Sequence, residues 1–196
     1  KTLEADPENT AAYYYRGRAY RSLGQYAEAL ADLDQALKAD PENTAAYYYR
    51  GRAYFSLGQY TEAVADLAKT LEADPENSRA YYYRGRSYRS LGQYTEAVAD
   101  LTKTLEANPE DSLAYYYRGR VYRSLEQLTE AIGDFTLALE FDPQSGFAYY
   151  YRGSSYDSLG EGDKAIADYR SVLEVSTEES LIAAAKTGLS GLGVSE

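Results

Sequence analysis

Residues 10–43 read TAAYYYRGRAYRSLGQYAEALADLDQALKADPEN, and close copies of this stretch fill most of the chain. The five prolines mark its period, because each one lies 34 residues after the one before. We therefore predict five repeats between an N-terminal segment, residues 1–9, and a C-terminal segment, residues 180–196. The repeats occupy residues 10–43, 44–77, 78–111, 112–145 and 146–179.

Each repeat has the pattern of two helices. In the first repeat we predict one helix over residues 11–23, with Thr10 as its N-cap and Gly24 in the left-handed conformation that ends it. The second helix is predicted over residues 27–39, and Pro41 stops it because proline lacks the N–H that would continue the helical hydrogen bonds. One such hairpin cannot bury its apolar faces alone, so the repeats are expected to stack on one another.

The aromatic and small residues of the repeat fall at fixed offsets. In the first repeat they are Tyr13, Gly17, Tyr20, Ala29, Leu33, Ala36 and Pro41. This pattern resembles the tetratricopeptide repeat (TPR) family, which has an aromatic residue, Gly and Tyr in its first helix, followed by Ala, an aromatic residue, Ala and Pro. The resemblance recurs in all five repeats. It implies an all-α fold, a TPR-like α-solenoid in which antiparallel helix hairpins form a right-handed superhelix with a concave groove.

The two ends of the chain and the fourth repeat depart from this pattern. Residues 1–9 are identical to residues 69–77, so we expect them to be the end of a preceding repeat's second helix. The chain starts without Met, which suggests a fragment or a processed form, and its compartment cannot be predicted. Residues 181–187 are expected to form a capping helix, followed by a flexible Gly/Ser tail. Glu126 stands where the other repeats have the helix-ending Gly.

The composition excludes several classes of function. The 196 residues include no Cys, His, Met or Trp, which removes thiol and imidazole catalysis and the usual zinc, haem and iron–sulfur ligands. The sequence has neither a G-x-x-x-x-G-K-S/T phosphate loop nor a G-x-G-x-x-G dinucleotide motif. The longest run of aliphatic residues, 181–185, is far too short to span a membrane. We therefore predict a non-enzymatic protein with no cofactor and no metal.

Tyrosine and arginine are concentrated on the first helices. Ten of the 24 tyrosines are surplus to the core positions of the family pattern, and 13 of the 14 arginines lie on first helices, whose single acid is Asp157. Of these surplus tyrosines, Tyr14 shares one helix face with Arg18 and Arg21, and the resemblance places this face in the concave groove. The predicted ligand-binding groove consists of Tyr14, Arg18, Arg21, Tyr48, Arg52, Phe55, Arg79, Tyr82, Arg86, Arg89, Tyr116, Arg120, Arg123 and Tyr150.

Two further series have a structural interpretation. Arg16 and its equivalents lie near the core face, and each repeat carries an Asp such as Asp32 in its second helix, so we expect these groups to pair within the hairpin. Tyr15 and its equivalents, Tyr49, Tyr83, Tyr117 and Tyr151, either pack laterally between neighbouring first helices or line the groove. The residues alone leave these two interpretations open.

The leading functional prediction is a protein–protein interaction scaffold that binds an acidic or extended peptide in the Tyr/Arg-lined groove. The alternative is a structural protein that assembles with itself by end-to-end stacking or through oppositely charged faces. A remote alternative is single-stranded nucleic acid on a Tyr/Arg platform, which the net charge of -11 disfavours. At the positions where TPR co-chaperones carry a Lys, Asn and Arg clamp for chaperone tails, only Arg79 keeps a cation, so chaperone-tail binding is not expected.

Overall fold

A computed structural model describes residues 9–194, which contain eleven α-helices and no β-strand. Their bounds are α1 Thr10–Ser22, α2 Tyr26–Ala39, α3 Thr44–Ser56, α4 Tyr60–Ala73, α5 Ser78–Ser90, α6 Tyr94–Ala107, α7 Ser112–Ser124, α8 Leu128–Phe141, α9 Gly146–Ser158, α10 Gly162–Val175 and α11 Glu179–Gly191. Successive first helices begin 34 residues apart. The all-α fold built from helix hairpins is confirmed. The helix predicted for residues 1–8 lies outside the described residues.

The fold divides into two compact units, the first ending at Lys103 and the second starting at Thr104. In the first unit, α1 packs on α2 and α3 on α4, and α2 also packs on α3. In the second unit, α7 packs on α8 and α9 on α10, and α11 packs on both α9 and α10. Within each unit, every hairpin therefore buries its apolar faces against the next one, as expected for a stack of repeats. None of the helices in the described part of the chain has the length and apolarity needed to cross a bilayer.

The first helices of the first four repeats begin with a side-chain cap one residue before the predicted position. The Oδ1 atom of Asn9 accepts a hydrogen bond from the backbone N–H of Ala12 at 2.9 Å, and Thr10 is already helical. The prediction that Thr10 is the N-cap is therefore wrong. Asn43, Asn77 and Asp111 cap α3, α5 and α7 in the same way. Each satisfies one of the backbone N–H groups that a helix start leaves without a partner.

The turn inside each hairpin needs a left-handed residue. Gly24 has φ +77°, and the equivalent glycines of the second, third and fifth repeats have nearly the same value. Glu126 occupies this position in the fourth repeat with φ 60°. Because a side chain with a Cβ is disfavoured in this conformation, the fourth turn carries a local energetic cost that the others avoid.

Gly17 allows the two helices of a hairpin to approach closely. A Cβ added to Gly17 would lie 2.8 Å from Leu33 Cγ, and one added to Gly51 would lie 2.9 Å from Leu67 Cγ. Both leucines are completely buried. The small residue is therefore required by packing at the centre of each hairpin.

The second unit ends in a helix that covers its last hairpin. α11 is longer than the predicted capping helix and includes residues expected to belong to the tail. Leu181 and Leu189 are buried against Tyr169 and Val172 of α10. Gly188 lies so close to Tyr169 that an added Cβ would be 2.5 Å from the ring.

Candidate ligand-binding face

The arginines near the core face are bound inside the hairpins. Arg16 donates to both carboxylate oxygens of Asp32, with Nε–Oδ2 at 2.6 Å and Nη2–Oδ1 at 2.7 Å. The same two-pronged geometry recurs in every repeat at 2.7 to 2.8 Å. These pairs are Arg50–Asp66, Arg84–Asp100, Arg118–Asp134 and Arg152–Asp168. The predicted pairing is confirmed, and this series is structural.

Arg50 shows how strongly this arrangement holds a guanidinium. Besides its bonds to Asp66, it donates through Nη1 to Asp34 of the preceding repeat at 2.7 Å. Hydrogen bonds to Asp66 raise the pKa of Arg50 above its ordinary value, and Asp34 adds to this effect. This group therefore stays charged and stays in place, and it joins one hairpin to the next.

The predicted groove residues lie on a different side of the first helices from the hairpin arginines. We call the Tyr–Arg face the stripe formed by positions 11, 14, 18 and 21 of the first repeat and by their equivalents in the other repeats. Steps of three, seven and ten residues at 100° each return to within about 80° of the starting direction, so these positions share one side of the helix. All the predicted groove residues belong to this stripe.

In the first unit, arginines of one repeat stack on a tyrosine of the next. The Cζ atom of Arg18 lies 4.6 Å from the centre of the Tyr49 ring, and that of Arg21 lies 5.6 Å from it. Arg18 also donates through Nη1 to the hydroxyl of Tyr14 at 3.4 Å. Tyr14 contacts Tyr49 edge to face with ring centres 5.9 Å apart. Tyr49 therefore packs between neighbouring first helices, which confirms the lateral-packing interpretation at this position.

The next pair of repeats has the same arrangement. Arg52 lies with Cζ 4.5 Å from the centre of the Tyr83 ring and donates through Nη2 to the Tyr83 hydroxyl at 2.8 Å. Its Nη1 donates to the Tyr48 hydroxyl at 3.2 Å. Phe55 stands where the first, third and fourth repeats have arginine, and the centre of its ring lies 4.6 Å from the Cζ atom of Arg86. Arg86 in turn donates to the Tyr82 hydroxyl at 3.2 Å.

The second unit repeats the arrangement around Tyr151. Arg120 and Arg123 lie with Cζ 4.7 and 5.4 Å from the centre of this ring. Arg120 donates to the Tyr116 hydroxyl at 3.3 Å, and Arg123 donates to the Ser154 hydroxyl at 3.0 Å. Each of these guanidinium groups is thus held in a fixed position by aromatic rings and hydroxyl groups.

Tyr116 is the most buried of the predicted face residues. It is 8% exposed and belongs to an apolar cluster with Phe135 and Leu139. Burial raises the pKa of its hydroxyl to about 12. Tyr150, its equivalent in the last repeat, is half-buried against Tyr169 with ring centres 6.0 Å apart. These two tyrosines therefore have a packing role within the second unit.

The arginines of the Tyr–Arg face differ from the hairpin arginines in their partners. No carboxylate among residues 9–194 lies within 4.0 Å of the following six: Arg18, Arg21, Arg52, Arg79, Arg120 and Arg123. Burial lowers the pKa of Arg21, and the positive charge of Arg52 lowers it further. Arg21 and Arg52 thus hold two positive charges close together, and no carboxylate of residues 9–194 lies within 4.0 Å of either.

Two apolar residues of this face were not predicted as site residues. Leu113 and Phe147 occupy the position of Ala11 in the fourth and fifth repeats and are 55% and 43% exposed. The sequence feature that could have identified them is their position in the stripe, three residues before Tyr116 and Tyr150.

Among residues 9–194 there is no cluster of three or more metal-binding side chains.

Comparisons with known proteins agree with this architecture. One family profile described as Tetratricopeptide repeat matches residues 1–32, 16–78, 50–100 and 82–146. A second profile with the same description matches residues 147–175. No curated protein sequence matches the chain.

Solved structures that resemble the chain include YrrB, a TPR protein with an unusual peptide-binding site, at 28% identity and a TM-score of 0.79 over 94% of this chain and 95% of that one. MamA from Desulfovibrio magneticus RS-1 is similar at 26% identity and a TM-score of 0.80 over 85% and 94% of the two chains. Another MamA structure has 27% identity and a TM-score of 0.76 over 81% and 92%. The chain belongs to the tetratricopeptide repeat family, a family of protein-interaction scaffolds rather than enzymes.

Proposed function

We propose that this scaffold binds an acidic, extended peptide segment of a partner protein on the part of the Tyr–Arg face that lies within one unit. The observation that carries the proposal is the contrast between the two arginine series. Each hairpin arginine is neutralised by an aspartate, whereas the six face arginines named above have no carboxylate within 4.0 Å in the described part of the chain. An acidic ligand supplies the missing negative charge.

The stacked geometry prepares these guanidinium groups for binding. Arg18, Arg52 and Arg120 each lie over a ring of the next repeat within 4.5 to 4.7 Å. Each guanidinium has five N–H donors, of which tyrosine hydroxyls accept from one in Arg18 and Arg120 and from two in Arg52, so further N–H groups are left for a ligand. A side chain that is already ordered loses less conformational entropy when the peptide arrives. The likeness to YrrB, described as having a peptide-binding site, supports a peptide as the ligand.

Fluorescence anisotropy with matched peptides tests the proposal. The probe is a labelled peptide of Asp, Glu, Ser and Gly, and its control has Asn and Gln in place of Asp and Glu. Arg79 is exposed and lies outside the stacks described above, so Arg79→Gln removes charge at little structural cost. We expect it to weaken binding of the acidic peptide by about tenfold, as for the loss of one charge-assisted hydrogen bond.

Lys38→Gln is the matched control, because Lys38 is an exposed cation on the second helix α2. It should leave the affinity within about twofold once the added ionic strength screens long-range attraction. Equal affinity for the acidic and the amide peptide would contradict the proposal. So would equal losses for Arg79→Gln and Lys38→Gln.

Self-association is the second candidate, and the sorting of charge favours it. Thirteen arginines lie on the first helices, while almost all acids lie on the second helices and turns. The basic face of one copy therefore has an electrostatically complementary surface on another copy. Light scattering over a range of protein and salt concentrations tests this candidate. Growth of the mass with protein concentration at low salt supports it, and a constant monomer mass excludes it.

A further inference from the structure

The Tyr–Arg face of the second unit carries large apolar side chains at one position of the stripe where the first unit has none. The residues at this position are Ala11, Ala45, Arg79, Leu113 and Phe147 in the five repeats. The first unit thus has small or charged side chains there, and the second unit has two large apolar ones. The tyrosine three residues later is the same in every repeat, whereas the fifth repeat has Ser154 and Asp157 where the first has Arg18 and Arg21.

Leu113 and Phe147 are exposed, although large apolar side chains such as these are usually buried. Their exposed fractions, 55% and 43%, contrast with 8% for Tyr116. The Phe147 and Tyr116 rings have centres 6.4 Å apart. Leu113 lies three residues before Tyr116, so the two share one side of α7. We call Leu113, Tyr116 and Phe147 the apolar patch. An exposed patch of this kind commonly marks a place of contact with a partner.

A positive charge lies directly beside the apolar patch. The Cζ atom of Arg120 is 5.6 Å from the centre of the Tyr116 ring and its Nη1 donates to the Tyr116 hydroxyl at 3.3 Å. Arg120 has no carboxylate within 4.0 Å in the part of the chain that the structure describes. A ligand that fits both features carries a carboxylate next to a bulky apolar side chain.

We infer that the second unit selects acidic peptides in which a Leu or Phe side chain adjoins an Asp or Glu, with the apolar side chain on Leu113 and Phe147 and the carboxylate on Arg120. This inference rests on the proposed function and specifies its ligand. Charge complementarity favours an acidic partner over a second copy of the apolar patch, because a second copy would bring another Arg120 to the same place.

Two peptides separate the inference from the function on which it rests. The first is the acidic Asp, Glu, Ser and Gly peptide, and the second is the same peptide with one central Ser replaced by Leu. For the unaltered protein we expect the Leu peptide to bind about tenfold more tightly, as for one buried apolar side chain. If neither peptide binds, the proposed function fails; if both bind equally, only the present inference fails.

Variants locate the effect on the apolar patch. Leu113→Ser and Phe147→Ser should each remove most of the roughly tenfold preference for the Leu peptide over the purely acidic peptide. Phe141→Ser is the matched control, because Phe141 is an aromatic residue of α8, away from the stripe, and is 40% exposed. Far-ultraviolet circular dichroism verifies that each variant is folded.

Three outcomes would overturn the inference. The first is retention of the Leu preference in both Leu113→Ser and Phe147→Ser. The second is an equal loss of preference in Phe141→Ser. The third is a concentration-dependent dimer that Phe147→Ser abolishes, because a second copy would then be the occupant of the apolar patch. Light scattering at the protein concentrations of the binding assay detects this dimer.

Discussion

The hairpin ion pairs allow the effect of burial on the strength of an Arg–Asp pair to be tested, because the same pair recurs along one chain with different exposure. The Arg152 and Asp168 side chains are 18% and 6% exposed, whereas those of Arg16 and Asp32 are 46% and 7% exposed. Their hydrogen bonds have nearly equal lengths. Coulomb's law gives about 4 kcal/mol for unit charges 4 Å apart at an effective dielectric constant near 20, and about 1 kcal/mol in water. We therefore expect a coupling energy of about 3 kcal/mol for the inner pair and about 1 kcal/mol for the outer one.

Double-mutant cycles with alanine at both members of each pair measure these couplings. The cycle cancels the hydrogen bond from Arg152 to Thr136, because both variants that lack Arg152 lose it equally. Urea unfolding followed by far-ultraviolet circular dichroism, fitted with a nearest-neighbour description of repeats, gives the free energies. Equal couplings for the two pairs, or a larger one for Arg16–Asp32, would refute the reasoning that burial of the guanidinium sets the strength of the bond.

Three further predictions concern the turns, the last helix and the response to alkaline pH. Glu126 has φ 60°, a conformation that glycine adopts without strain, so Glu126→Gly should raise the free energy of unfolding by about 1 kcal/mol. Gly92→Ala should lower this free energy by a similar amount, and urea titration of both variants measures the two changes. Gly188→Ala should destabilise the second unit by about 1 to 3 kcal/mol through its clash with the Tyr169 ring, while Gly191→Ala, with open space around it, should not; thermal unfolding distinguishes them. Because burial raises the pKa of Tyr116 from 10.0 to about 12, the folded state keeps this proton longer than the unfolded state. The corresponding stability, about 3 kcal/mol, is present below pH 10 and lost as the pH rises to about 12, so Tyr116→Phe should flatten the alkaline part of a stability–pH curve.

The period of the sequence was enough to predict the hairpins and one of their internal contacts. Arg16 could be paired with Asp32 because both recur in every repeat and Arg16 lies near the core face of its helix. The N-cap was predicted one residue too late, since Asn9 and Thr10 are both good caps and only the backbone geometry distinguishes them.

The stacks on the Tyr–Arg face could not be assigned from the sequence. Arg18 and Tyr49 belong to different repeats, so their contact depends on how one hairpin is placed on the next. A helix-face argument shows which residues share a side of one helix, and it leaves open whether a tyrosine packs against a neighbouring helix or faces a ligand. The same limit applies to Leu113, whose exposure depends on what surrounds it.

The stacking of arginines on tyrosines has a consequence for how such a protein evolves. Arg52 and Tyr83 belong to adjacent repeats and are joined by a hydrogen bond of 2.8 Å, and Arg52 is also a predicted ligand contact. A substitution that adapts this position to a new ligand therefore changes how firmly the two repeats are connected. Selection for a new specificity then also alters how many repeats melt together, so ligand choice and the size of the cooperative unit evolve jointly in this array.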